Sequence, residues 1–80
     1  LPGVVQICAL ELQTYPGGRT TMLWYGAGPV REVLALGLQA VTSLDMPTRW
    51  RFRPAVDPHA DLERLLGRFE RRFLTAPICQ

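Results

Sequence analysis

The sequence contains no lysine, so all nine basic residues are arginine. It has a single histidine and two cysteines, Cys8 and Cys79. Those ligands cannot complete a four-ligand structural zinc site without carboxylates, and no metal site is expected. One bridge from Cys8 to Cys79 would be a weak signature of a disulfide scaffold. Both are read as free thiols, with Cys8 acting as a small buried hydrophobe. No apolar run approaches the ~18 residues of a membrane span, so no membrane association is expected. A basic start followed by an apolar stretch and a small-residue cleavage site is also missing, which favours an intracellular chain. The chain opens Leu1-Pro2-Gly3 without methionine and reads as a processed chain or an excised domain.

Signs of catalysis and of cofactor binding are equally sparse. The segment Tyr25-Gly26-Ala27-Gly28-Pro29 leads from a strand to a helix, a natural place for an anion. It lacks the spacing of a phosphate-binding loop, and Pro29 removes one of the amides. His59 sits in Asp57-Pro58-His59-Ala60-Asp61, where acids at a capped helix start account for the pattern. Cys8 lies mid-strand in apolar company, where a thiol stays protonated. Glu11 has no carboxylate partner at catalytic spacing. No catalytic residue and no cofactor is assigned, and the chain is not expected to be an enzyme.

What is present is an ordinary apolar share, 48% of 80 residues, enough for one small domain over residues 1–80. A domain of this size buries only about 60% of its unfolded surface, so its core is marginal. A partner chain is the most natural supplement.

Residues 4–13 (VVQICALELQ) form an apolar run without alternation, the pattern of a strand buried on both faces. Tyr15-Pro16-Gly17-Gly18 reads as a turn, with Pro at the first corner and φ > 0 at the glycine of the second. Residues 19–26 (RTTMLWYG) return as a second strand. A helix from about Pro29 to Leu44 carries apolar residues over an arc of about 200°, wider than one sheet contact needs. Residues 48–54 (TRWRFRP) alternate strictly, which predicts Trp50 and Phe52 in the core and Arg49, Arg51 and Arg53 in solvent. Pro47 and Pro54 bracket this short strand and mark it as an edge. Asp57 caps a second helix with a narrow stripe of Leu62, Leu65, Leu66, Phe69 and Phe73. Arg64, Arg68, Arg71 and Arg72 gather on one flank of that helix, and Glu63 and Glu70 on the other. The tail Ile78-Cys79-Gln80 could dock beside a strand.

The expected fold is α+β, in the order β-β-α-β-α, with a three-stranded sheet of order 2-1-3 packed with two helices. A right-handed crossover would set the third strand beside the first and parallel to the second. The element order over residues 4–53 resembles the start of a β-grasp domain. Residues 57–74 read as a helix where such a domain would add a strand, so no family is assigned. With Pro16 and Gly17 as corners, Leu10 should face Leu23 and Ala9 should face Trp24. One sheet face would then hold Val4, Cys8, Leu10, Leu12, Leu23 and Tyr25, and the other Val5, Ile7, Ala9, Met22 and Trp24.

Two functional classes follow. The leading expectation is a non-enzymatic protein–protein interaction or dimerisation module, docking on a protein partner or on itself as a homo-oligomer. Its apolar contacts would be Met22, Trp24, Val33, Leu36 and Ala40, rimmed by arginines. The alternative is a nucleic-acid-binding domain that uses the stripes Arg49/Arg51/Arg53 and Arg64/Arg68/Arg71/Arg72. Codon bias accounts for the missing lysine but not for where the arginines sit. Like charges four apart, as in Arg64–Arg68 and Arg68–Arg72, cost about 0.2–0.5 kcal/mol per pair and invite an anionic partner. Aromatics that would stack on bases alternate away from the Arg face, which ranks nucleic acid second.

Overall fold

A computed structural model describes residues 1–80. Strand β1 spans Pro2–Tyr15, β2 Gly18–Pro29 and β3 Thr48–Pro54. Helix α1 (Val30–Val41) continues into a short 3-10 turn at Thr42–Leu44, and α2 runs over Pro58–Phe73. The sheet has the expected order β2-β1-β3, with β1 antiparallel to both neighbours. No helix is long and apolar enough to cross a membrane.

The apolar character of β1 has a direct cause: a helix lies on each side of it. Val5, Ile7 and Ala9 join Leu23, Val33 and Val41 beneath α1. Cys8 joins Tyr15, Met22, Tyr25 and Phe69 beneath α2, whose stripe of Leu62, Leu65, Leu66 and Phe73 closes that side. The rings interlock there, with Tyr15 edge-on to Phe69 at 5.1 Å and Phe69 against Phe73 at 4.6 Å. Cys8 and Cys79 are free and pack on opposite sides of the sheet.

The turn corners are Pro16 and Gly17, as Tyr15 pairs with Gly18. The positive φ falls one residue later than expected, on Gly18 at 150°. Gly17 is required for room instead. Its amide bonds the Phe73 carbonyl at 3.0 Å, and a Cβ there would approach the Phe73 backbone to 2.9 Å.

The hairpin register departs from the expected one after three pairs. Thr14–Arg19 and Gln13–Thr20 follow the turn, but Cys8 then pairs with Met22 and Ile7 with Trp24. Between Cys8 and Gln13 the first strand bulges outward, and Leu23 is an extra residue on the second. The consequence is an exchange of faces: Leu23 packs beneath α1 and Met22 beneath α2, opposite to the expectation. Leu10 and Leu12 lie on the bulge and are exposed rather than covered.

Both helices lie over β2 and β1, and neither lies over β3. This corrects the placement of Trp50, expected in the core and found 48% exposed. Trp50 sits beside Ile7 on the α1 side, beyond the reach of the helix, while Phe52 beside Val5 is half-buried. Asp57 caps α2 as expected, accepting from the Ala60 amide at 3.2 Å.

Candidate interaction surface along β3

The two edges of the sheet differ. At the outer edge of β2 the C-terminal tail caps the middle of the strand, at Leu23 and Tyr25. The Cys79 amide donates to the Leu23 carbonyl at 3.1 Å. The Gln80 side chain accepts from the Tyr25 amide at 3.0 Å and donates to its carbonyl at 2.7 Å. Tyr15 anchors the tail, its hydroxyl donating to the Met22 carbonyl at 2.7 Å and accepting from the Ile78 amide at 3.0 Å. Burial is the main cause that raises the Tyr15 pKa above its ordinary value, and it likewise raises that of the Cys79 thiol.

No segment serves β3 in this way. The Ala55 amide bonds the Pro2 carbonyl, and bonding alternates along an antiparallel pair. The β1–β3 register has no irregularity, so the backbone groups of Arg49, Arg51 and Arg53 turn inward to β1. Those of Thr48, Trp50 and Phe52 turn outward to solvent. The side chains alternate the other way, across the faces: Thr48, Trp50 and Phe52 on the α1 side, the three arginines on the α2 side.

Each face of β3 borders a depression. On the α1 side one of about 440 Å³ lies between the end of α1 and the start of β3, lined by Leu38, Val41, Thr42, Asp45, Met46, Pro47 and Thr48. On the α2 side one of about 420 Å³ is lined by Gln6, Cys8, Thr20, Thr21, Met22, Arg49 and Arg51, and Trp50 borders it from β3. Arg51 donates to the Gln6 side chain at 3.0 Å. Tyr25, in line with Gln6 across the sheet, has its pKa raised chiefly by burial, with Cys8 adding to the rise. Arg68 of α2 and Arg51 of β3 both oppose that rise, so members of the two Arg stripes act on the same phenol from one side of the sheet.

The apolar candidates do not form one patch. Met22 and Val33 are buried, on opposite sides of the sheet. Trp24 is half-buried and wedged against Gly37 of α1, where a Cβ would approach its Cζ3 to 2.6 Å. Leu36 is 61% exposed, with Ala40 half-buried one turn on. Leu38, 42% exposed, lies about 200° around the helix from Leu36 and borders β3. The wide apolar arc of α1 is therefore not spent on a contact with α2, which packs on the other face.

Among the basic candidates, Arg49, Arg51, Arg53, Arg64, Arg68, Arg71 and Arg72 are all exposed. Two of the helical arginines have partners that sequence reasoning missed. Arg64 pairs with Asp61, three residues earlier. Arg72 donates to the Gly17 carbonyl at 2.7 Å and lies over the Phe73 ring at 4.8 Å. The Asp61–Arg64 spacing was visible in the sequence; the turn at Gly17 is 55 residues from Arg72, and nothing local signals that contact.

Comparison with protein-family models, with curated proteins and with solved structures returns no match to this chain.

Proposed function

We propose that the chain is a non-enzymatic protein-interaction module that takes up a partner strand along the open edge of β3. The observation that carries this reading is the contrast between the edges: the middle of β2 is capped at Leu23 and Tyr25 by the chain's own tail, and β3 keeps three outward residues unpaired with no such cap. An added strand would gain main-chain hydrogen bonds for affinity and alternate side-chain contacts for specificity. Trp50 and Leu38 supply apolar surface beside that edge, in place of the buried Met22 and Val33.

Selection from a displayed library of random seven-residue peptides tests the reading. Trp50→Pro removes the central outward N–H, a change that an edge strand tolerates at that position. Trp50→Val keeps the amide and loses only the ring. Enriched peptides should bind wild type and Trp50→Val but not Trp50→Pro. Equal binding to all three, or no enrichment at all, refutes it.

A further inference from the structure

Resting on that reading, we infer the chemistry of the strand: an extended segment of another protein in which acidic residues alternate with apolar ones. β3 presents two chemically pure sides. Arg49, Arg51 and Arg53 are exposed on one, with no acidic residue anywhere in the strand. Thr48, Trp50 and Phe52 occupy the other. Residues directly opposed across two strands lie on the same face, about 5 Å apart, and opposite charges there attract. A strand docked on β3 therefore meets arginine at every second position and Trp50 or Phe52 between. Guanidinium groups suit carboxylates through bidentate hydrogen bonds.

A second copy of the chain is a poor occupant of this edge. Antiparallel pairing of β3 with itself about a two-fold axis keeps the faces aligned. Every such register sets the Arg stripe of one copy against that of the other, and directly opposed like charges destabilise a sheet. Nucleic acid would use the arginines alone. It has no main chain to pair with the outward groups, and Trp50 points to the face away from the arginines.

The probes are seven-residue peptides, the length of β3, alternating Glu with Val or Lys with Val, capped at both ends. Binding is read by Trp50 fluorescence and by hydrogen exchange at individual amides. The Glu/Val peptide should bind about tenfold tighter than the Lys/Val peptide at low salt, since three exposed ion pairs contribute a factor of about two each. The preference should shrink as salt rises. Protection should appear at the amides of Thr48, Trp50 and Phe52. The triple change Arg49→Gln, Arg51→Gln and Arg53→Gln alters only exposed side chains and should erase the preference without unfolding the chain. Equal binding of the two peptides, with those amides protected, overturns the acidic partner and leaves docking on β3 standing. Absence of protection with either peptide overturns both. Binding of a single-stranded oligonucleotide tighter than the Glu/Val peptide, lost in the triple variant, overturns the inference in favour of nucleic acid.

Discussion

Gly37 lies in the interior of α1, where glycine is about 1 kcal/mol less favourable than alanine. Propensity alone says that Gly37→Ala should stabilise the chain. Packing says the reverse. A Cβ at this position would lie 2.5 Å from Ile7 Cδ1, 2.6 Å from Trp24 Cζ3 and 2.8 Å from Trp24 Cε3, all inside van der Waals contact. Ile7 is fully buried and cannot retreat. Overpacking of a well-filled core costs about 1–3 kcal/mol. Setting the ~1 kcal/mol of propensity against this leaves a net loss of about 1 kcal/mol. A chain of this length has a total stability on the order of 4–12 kcal/mol, so the loss is a sizeable fraction. Thermal unfolding should show Tm falling by about 4–8 °C. In a background carrying Ile7→Val and Trp24→Leu, both obstructing groups are shortened, and Gly37→Ala should become neutral or stabilising. The coupling in that cycle should reach about 1–3 kcal/mol. A rise in Tm on Gly37→Ala alone, or an equal cost in both backgrounds, would refute the claim that this glycine exists to seat Trp24.

Two further outcomes follow from the arginines and the tyrosines. Replacing Arg64, Arg68 and Arg72 with Gln relieves two like-charge pairs worth about 0.2–0.5 kcal/mol each. It also removes the Asp61 pair, the bond to Gly17 and the cation–π contact with Phe73. The balance is a loss of about 1 kcal/mol after discounting for exposure, and a higher stability in urea denaturation would contradict it. Burial raises the pKa values of Tyr15 and Tyr25 above 10.0, so the unfolded chain gives up these protons first. Stability is then fully present below about pH 10 and declines as pH rises through the folded pKa values. Tyr25→Phe should flatten part of that decline, and an unchanged alkaline profile would show that Tyr25 does not contribute to it.

Sequence periodicity assigned each β3 side chain to a face, and the arginines are exposed as the alternation of residues 48–54 implied. It could not give coverage. Whether Trp50 is buried depends on how far the axis of α1 reaches across the sheet, which the helix's own pattern does not encode. The sheet order was legible because β1 is apolar on both sides and only a central strand between two layers needs that. The register was legible near the turn and lost beyond Gln13–Thr20, since every residue from Ala9 to Leu12 except Glu11 is apolar and nothing marks the bulge. The capping of the β2 edge was half legible. A tail after Pro77 suggested docking, but the side chain of Gln80 taking the place of a strand's backbone is a three-dimensional accident of reach.

The same alternation gives β3 both of its properties. Three arginines on one face of an open edge repel a second copy and discourage edge-to-edge aggregation, a common reason for placing charge there. Repulsion of that kind is also a selection rule. An edge that rejects its own kind by charge admits a strand of opposite charge, and discrimination between partners often rests on such a repulsive element. Plain edge protection needs only the arginines and would be served as well by burying the other face. Trp50, 48% exposed on the same strand, is not required by protection. An exposed indole adds apolar area at the edge and so weakens the defence that the arginines provide. The pairing of a repulsive stripe on one face with an uncovered aromatic on the other is what a selective docking edge requires and what a merely protected edge would avoid.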